Sequence, residues 1–294
     1  MEYMTDINVL RATLRRYNAV PKKYLGQNFI IDREVIAQTV DALQIGNDDI
    51  VIEIGPGAGA LTEQLCINAK RVIAIEIDEI MVQILQEMKH RYSNIEIIKA
   101  DILKTDIGAI INKYTEHSNF EQIKIKIAGN LPYYITTPII MGLLEKRLTI
   151  KHMVFMVQKE VAQRIVSGPG VKDYGVLSVM VQYYSIPSVI TCVKPESFLP
   201  KPGVESAIIK LLMRDEPEVK VKDEKLYFNV VKAAFNQRRK TLSNAIANSS
   251  NIGVSKQSIQ QILSKLGMSQ NIRGEDLSPD LLALFSDEIY SLLP

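Results

Sequence analysis

The sequence lacks a long hydrophobic run and has little cysteine, and each absence excludes a class of protein. No uninterrupted apolar segment among the 294 residues is long enough to span a bilayer, and residues 1–13 lack the apolar core of a signal peptide. The two cysteines, Cys66 and Cys192, lie far apart in the sequence, with no CxxC or Cys/His spacing around them. We therefore expect a soluble, cytoplasmic protein with no membrane partner, no disulfide and no metal site.

The chain also lacks a strong net charge and a histidine-centred motif. It has 35 basic and 33 acidic residues and a net charge of +2, so any surface that binds nucleic acid must be local. The locally basic segments are residues 11–23 and the run Arg238, Arg239 and Lys240, although most such clusters are simply solvated faces. The three histidines lie outside every motif described below, which argues against a His-based triad.

Apolar strand patterns alternate with helical patterns from residue 50 to residue 157, which predicts a doubly wound parallel α/β sheet. Apolar or strand-like segments follow at 176–184 and 188–193, and a last strand is expected at 208–213. Beyond this strand the periodicity is helical only. The predicted regions are an amino-terminal basic arm at 1–24, an α/β domain at 25–214 and a small all-helical carboxyl-terminal domain at 215–294.

A strand, a glycine loop and a helix follow one another at residues 50–69. Gly55 and Gly57 allow a ligand to approach the backbone closely, and the free N–H groups of the helix start favour a carboxylate or phosphate. The next strand ends at Glu76, where an acid can bind a ribose diol. Because Gly55-x-Gly57-x-x-Ala60 also fits a dinucleotide fingerprint, a dehydrogenase and a nucleoside-cofactor enzyme both remain open. The absence of GxxxxGK[ST] excludes a P-loop.

Further strand ends carry polar and aromatic side chains. Asp101 could accept a hydrogen bond from an adenine amine, with Ile102 packed on the ring, or it could simply cap a turn. Residues 130–134, Asn-Leu-Pro-Tyr-Tyr, offer hydrogen-bond acceptors and a stacking surface to a planar base with an exocyclic amine. The same residues also suit an ordinary strand-ending turn.

Three loops have two interpretations each. The Gly-Gln-Asn-Phe segment at 26–29 is either a polar lid or a plain turn before a helix, and the sequence alone favours the turn. The proline-rich loop at 198–204, which begins with Phe198, is either a rigid connector or a second wall for a flat substrate. The basic junction at 236–240 is either a solvated turn or a phosphate contact.

Taken together, these motifs resemble those of one family, the small-subunit (16S) ribosomal RNA adenine N6-dimethyltransferases. The resemblance covers about residues 20–290 and implies a Rossmann-like methyltransferase fold. The motifs that carry it occur in this order: KKYLGQNFIID, VIEIGPGAGALTEQL, IEID, AD at 100–101, NLPY, QKEVAQRI, SFLPKPGVESA and FNQRRKTLSNAI.

The resemblance implies S-adenosylmethionine as the cofactor. Ile30 stands where the family more often has leucine, which is a conservative difference. Through the resemblance, cofactor binding is expected at Asn28, Ile30, Gly55, Gly57, Glu76, Asp101, Ile102 and Asn130.

The resemblance also makes Asn130 the catalytic amide. Its side-chain oxygen and the Leu131 carbonyl would accept hydrogen bonds from the adenine N6 amine and stabilise the charge that develops there. Tyr133 would stack on the base, with Phe198 as a weaker candidate for the opposite face.

The implied substrate is a pair of adjacent adenosines in a hairpin loop near the 3′ end of small-subunit ribosomal RNA, each methylated twice. We expect a monomer that acts on a partly assembled subunit and takes part in its biogenesis, with phosphate contacts at the amino-terminal basic arm and at Arg238, Arg239 and Lys240. The alternatives are an adenine methyltransferase that acts on large-subunit RNA or DNA, and a non-catalytic ribosome-assembly factor.

Overall fold

The computed structural model describes residues 3–115, 124–237 and 240–293. The chain divides into two compact units, the first made of Met1–Ala162 and Pro187–Met213, the second of Gln163–Ile186 and Arg214–Pro294. The predicted helical region at 215–294 falls within the second unit, which also takes in residues 163–186. The domain boundaries expected from the sequence stay a prediction.

The regular elements begin and end close to the positions that the sequence pattern predicts. The strands are β1 (Phe29–Ile30), β2 (Ile50–Ile54), β3 (Arg71–Glu76), β4 (Ile95–Lys99), β5 (Ile125–Asn130), β6 (His152–Gln158), β7 (Ser185–Val193), β8 (Phe198–Leu199) and β9 (Ser206–Met213). The α-helices are α1 (Ile7–Arg16), α2 (Arg33–Leu43), α3 (Ala60–Asn68), α4 (Glu79–Met88), α5 (Ile107–Thr115), α6 (Thr136–Glu145), α7 (Lys159–Val166), α8 (Val176–Tyr184), α9 (Glu224–Asn236), α10 (Leu242–Ala247), α11 (Lys256–Lys265) and α12 (Pro279–Tyr290).

Seven strands form one sheet in the order β4-β3-β2-β5-β6-β9-β7. The strands from β4 to β6 in this order pair in parallel, and β9 pairs with β6 antiparallel. All five residues of β2 are buried, as expected for a strand covered by helices on both faces. The predicted doubly wound α/β sheet is confirmed, with an antiparallel strand added beyond β6.

The register of the sheet brings the carboxyl ends of the central strands to one edge. Ile54, the last residue of β2, lies opposite Ile75 on β3 and Gly129 on β5. A Cβ atom on Gly129 would lie 2.4 Å from the carbonyl oxygen of Ile54, so only glycine allows these two strands to approach so closely here. The residues that follow the strand ends, Gly55 among them, therefore share one edge.

Several segments differ from the sequence expectation, among them the short strands β1 and β8, which fall in predicted loops. Residues 176–184, which were expected as an apolar or strand-like segment, form helix α8. The sequence does not reveal this helix, because almost every side chain is buried and no polar face marks the helical period. Helix α5 was not predicted. The helix N-cap predicted at Asp32 is confirmed. Its side chain accepts hydrogen bonds from the backbone N–H groups of Glu34 and Val35 at the start of α2.

The second unit is built mainly from α8 and the four helices α9–α12. Its interior is aromatic: the rings of Tyr174 and Phe235 meet edge to face at 5.3 Å, and the Tyr174 hydroxyl donates to the Leu277 carbonyl at 3.0 Å. Among the described helices, none has both the length and the apolar composition needed to cross a membrane.

Candidate active site

A cavity of ≈ 270 Å³ opens at the carboxyl edge of the sheet in the first unit. This is the edge at which open α/β sheets bind their ligands. The residues to which the sequence analysis assigned cofactor binding all line this one cavity: Asn28, Ile30, Gly55, Gly57, Glu76, Asp101, Ile102 and Asn130.

The glycine loop forms the floor of the cavity between β2 and α3. Gly55 and Gly57 have φ angles of 67° and 56°, which side chains with a Cβ atom rarely adopt. A Cβ atom on Gly57 would also lie 3.2 Å from the ring of Phe29. The loop therefore leaves backbone, and not side chains, facing a ligand.

Glu76, at the end of β3, is held in one orientation by three backbone N–H groups. Gly57 donates to Oε2 at 3.0 Å, and Ile77 and Asp78 donate to Oε1 at 2.8 Å each. Burial raises the pKa of this carboxyl, while the backbone hydrogen bonds oppose that rise. A carboxylate has about four acceptor positions, so this one can still accept a further hydrogen bond from a hydroxyl in the cavity.

Asp101 is a turn-capping residue that also lines the cavity, and its role at an adenine amine stays a prediction. Its Oδ1 accepts a hydrogen bond from the backbone N–H of Leu103 at 3.0 Å, as a turn-capping residue does. The same residue lines the cavity beside Ile102. Its second oxygen lies 3.8 Å from the exposed Lys104 ammonium, a weak surface contact that leaves this oxygen free to accept from a ligand.

Asn130 is the last residue of β5, and its side-chain amide is held in place through its nitrogen atom. Its Nδ2 donates to the carbonyl oxygen of Asn28 at 2.8 Å. Its Oδ1 accepts no hydrogen bond from any described residue and is available to a donor in the cavity. The following residue, Leu131, is anchored through its backbone N–H to the Met156 carbonyl at 3.0 Å, which holds the strand end in place.

Tyr133 is half-buried and lies outside the residues that line the cavity. Its hydroxyl shares a hydrogen bond of 2.6 Å with Ser206 Oγ at the start of β9. Burial raises the pKa of this phenol, so it stays neutral. The ring is therefore tethered at its far end, and its stacking role stays a prediction.

Phe198 is 1% exposed and packs in the hydrophobic core. Its backbone pairs with that of Ile30, which joins β8 to β1. In this conformation the ring has no exposed face for a base, so a contact with substrate would require the loop at 198–204 to move. Its role as the second wall stays a prediction.

Residues 22–30, here called the capping segment, form a wall of the cavity. Its residues 25–30 all line the cavity, which corrects the interpretation of 26–29 as a plain turn. The turn is present, because Gly26 has a φ angle of 64°, but its residues also line the cavity. The contacts that hold it there come from residues distant in sequence, which a local pattern cannot show.

One cavity residue, Glu53, was missed as a functional candidate, and another, Tyr134, was included only as part of the stacking surface at 130–134. Tyr134 lines the cavity and is 58% exposed, so its ring stands at the mouth. Glu53 lines the cavity from β2 at 1% exposure, and its Oε2 has no hydrogen-bond partner among the described residues. Burial, with a smaller contribution from the nearby Glu76, raises the pKa of Glu53 to about 8. The sequence signal for Glu53 was an acid inside an otherwise apolar strand.

The candidate RNA contacts are only partly covered by the structure. Arg238 and Arg239 lie outside the described residues. Lys240 is exposed and stands between α9 and α10, in the second unit, where its backbone N–H donates to the Gln237 carbonyl at 2.8 Å. The phosphate-binding role of these three residues stays a prediction.

Sequence comparisons extend over nearly the whole chain. A family model described as ribosomal RNA adenine dimethylase matches residues 19–285. The ribosomal RNA small subunit methyltransferase A of Lachnoclostridium phytofermentans is 45% identical over 290 residues, which cover 98% of each chain. The protein of the same name from a Geobacillus species is 44% identical over 284 residues, or 96% of each chain.

Structural comparisons agree on the architecture. A dimethyladenosine transferase from Plasmodium falciparum superimposes with a TM-score of 0.74 at 25% identity, covering 87% of this chain and 95% of that one. The 23S rRNA methyltransferase ErmE superimposes with a TM-score of 0.67 at 24% identity, covering 90% of this chain and 100% of that one. The second likeness shows the fold alone.

Proposed function

We propose that this chain, which belongs to the ribosomal RNA adenine dimethylase family, transfers methyl groups from S-adenosylmethionine to two adjacent adenosines near the 3′ end of 16S ribosomal RNA. Family membership confirms the resemblance seen in the motifs and makes the chain a methyltransferase. It removes the dehydrogenase interpretation of the glycine loop. The observation that carries the proposed chemistry is the free Oδ1 of Asn130 at the edge of the cavity.

The residues around the cavity fit S-adenosylmethionine. Glu76 offers a fixed acceptor to a ribose diol, Asp101 offers one to the adenine amine, and Ile102 offers an apolar contact to the ring. Glu53 adds a buried carboxyl oxygen without a partner among the described residues. When bound, this cofactor supplies a methyl group already activated by a sulfonium, so the protein needs no metal or strong acid to make it reactive.

The difficulty of the reaction lies in the acceptor amine, whose lone pair is delocalised into the adenine ring. Hydrogen bonds from N6–H to Asn130 Oδ1 and to the Leu131 carbonyl favour a more tetrahedral nitrogen. They also stabilise the positive charge that develops as the N–C bond forms. Tyr133, with its hydroxyl tethered to Ser206, would stack on the base and hold the amine in line with the methyl group.

The substrate class follows from this arrangement. A base whose exocyclic amine enters a cavity must first be unstacked, which costs least in a single-stranded loop. Lys240, together with Arg238 and Arg239, would contact phosphates without reading sequence. The proposal retains a cytoplasmic monomer, a partly assembled small subunit as the natural substrate, and a role in subunit biogenesis.

Replacement of Asn130 tests the proposed chemistry. In Asn130→Ala, methyl transfer to adenosine should fall by about a thousandfold, because the acceptor for N6–H is lost, while cofactor affinity changes by less than about tenfold. Transfer is measured with labelled cofactor under single-turnover conditions, and affinity by calorimetry. Transfer near the wild-type rate in this variant would overturn the role of the amide.

A further inference from the structure

Three polar side chains outside the proposed chemistry join the capping segment to the loop that follows β3. Lys22 Nζ donates to Asp78 Oδ1 at 2.7 Å, and Gln27 Nε2 donates to Asp78 Oδ2 at 2.7 Å. The backbone N–H of Lys22 also donates to Gln27 Oε1 at 2.8 Å, which closes a ring of hydrogen bonds. We call Lys22, Gln27 and Asp78 the latch.

Asp78 is anchored independently of the capping segment. Its Oδ1 caps α4 by accepting from the backbone N–H of Ile80 at 3.0 Å, and its own N–H donates to Glu76 at 2.8 Å. Its side chain is 1% exposed, whereas that of Lys22 is 30% exposed. The latch therefore ties a surface segment to a rigid, buried point next to the carboxylate proposed to bind the ribose.

The other end of the same short segment contacts the catalytic amide. Gly26 packs so tightly on Pro132 that a Cβ atom would lie 3.3 Å from the proline Cβ, and Asn28 Nδ2 donates to the Gly26 carbonyl at 3.2 Å. The carbonyl of Asn28 then accepts the hydrogen bond from Asn130 Nδ2 at 2.8 Å. Gln27, in the latch, is directly followed in the chain by the residue whose carbonyl orients Asn130.

We propose that the latch positions Asn130 for methyl transfer: by holding residues 22–28 on the cavity, it presents the Asn28 carbonyl to Asn130 Nδ2 and so directs Oδ1 toward the acceptor amine. The latch residues are positioning residues, because they act through Asn28 and do not touch the reacting atoms. This inference rests on the proposed function. It assigns a role in the transfer step to residues at the ribose end of the cavity.

The contribution of the latch has physical limits. A hydrogen bond to a charged partner is stronger than one between neutral groups, and the burial of Asp78 shields its contact with Lys22 from solvent. Because the Lys22 side chain is partly exposed, solvent weakens this contact. We therefore expect loss of one latch contact to slow transfer by about tenfold, less than the loss of Asn130 itself.

The test uses two variants of the full chain that act on different latch residues. Lys22→Met removes the ammonium and keeps the aliphatic stem. Asp78→Asn removes the negative charge and keeps an N-cap residue for α4, since asparagine caps helices as well as aspartate does. Lys22→Arg keeps the charge and serves as the conservative variant. Lys70→Met is the matched control, because Lys70 forms an exposed pair with Asp48 at 3.3 Å in the same unit.

Each variant is measured at saturating cofactor and RNA in a single turnover, with cofactor affinity and thermal midpoint determined in parallel. We expect Lys22→Met and Asp78→Asn to transfer about tenfold more slowly, and the double variant to be no slower than the worse single one, because both break one unit. Lys22→Arg should recover to within about threefold, and Lys70→Met should match wild type.

Two results would overturn the latch. One is a single-turnover rate equal to that of Lys70→Met at saturating cofactor, even if cofactor affinity falls, because this would confine the latch to binding. The other is additive losses in the double variant. Failure of the proposed function would look different, since the wild-type protein itself would then bind no S-adenosylmethionine or methylate no adenosine.

Discussion

The cavity has two kinds of wall, and they differ in what holds them. Glu76 and Asn130 stand at the ends of β3 and β5, where the backbone ladder of a buried sheet fixes their positions. The capping segment is anchored at its carboxyl end by the pairing of β1 with β8, and its residues 22–28 are held by side-chain contacts, above all with Asp78. The position of the wall formed by Glu76 and Asn130, here called the sheet-borne wall, is therefore fixed by folding of the core. The position of residues 22–28, here called the capping wall, depends on a few specific contacts.

This difference has a functional consequence. A ligand that is exchanged after each transfer needs a wall that can release it. Residues 22–28, none of which is buried, can open at a lower free energy than the buried strands of the sheet. The sheet-borne wall can supply the fixed acceptors while the capping segment supplies the adjustable contacts. The following variants separate the two contributions.

The largest effect should come from breaking the sheet-borne wall at Gly129. In Gly129→Ala, the added Cβ would meet the Ile54 carbonyl at 2.4 Å, and a backbone atom inside a sheet cannot move aside cheaply. We expect the free energy of unfolding to fall by about 3 kcal/mol, measured by denaturant titration. Gly142→Ala is the control, because nothing lies within 4 Å of its added Cβ on α6. Equal stabilities of the two variants would contradict the account of strand packing.

A smaller effect is expected at the ribose end of the same wall. In Glu76→Gln, one acceptor oxygen becomes an amide donor that faces backbone N–H groups, so the orientation of the side chain is lost. Cofactor affinity should fall by about thirtyfold, close to 2 kcal/mol, as measured by calorimetry. The latch variant Lys22→Met should lose less affinity than this. A reversal of that order would mean that the capping wall, not the sheet, carries cofactor binding.

The last prediction concerns the pH dependence of stability at Glu53. The pKa of about 8 in the folded protein exceeds the usual value of 4.5, so burial of this carboxyl reduces stability as pH rises from about 4.5 through about 8. Glu53→Gln cannot ionise and lacks this dependence. The difference in unfolding free energy between the variant and wild type should therefore grow in favour of the variant by about 3 kcal/mol from pH 5 to pH 8. A constant difference across that range would show that Glu53 is not buried neutral.

The same contrast explains what the sequence predicts well. Strands with continuous apolar residues or simple alternation, such as β2 and β4, start and end where the pattern places them. Because parallel strands end at one edge, the polar residues at those ends can be placed together from the amino-acid pattern, whereas their assignment to cofactor binding comes from the family resemblance and stays a prediction. All of them line the same cavity.

The sequence predicts the structure less well where contacts between residues that are distant in the chain determine it. Helix α8 has no polar face, so its period cannot be distinguished from that of a buried strand. The capping segment reads locally as a glycine turn, and its role depends on Asp78, about fifty residues away, and on Asn130, about a hundred residues away. The burial of Phe198 depends in the same way on the pairing of β8 with β1.

The most direct test of the central claim compares three acceptors for labelled methyl groups from S-adenosylmethionine: unmodified small ribosomal subunits, unmodified large-subunit RNA and double-stranded DNA. One salt concentration is used throughout, because phosphate contacts make binding salt-dependent. The account predicts label in the small subunit alone, recovered as N6-dimethyladenosine at two adjacent positions. Label in another acceptor instead, or in none of the three, would contradict it.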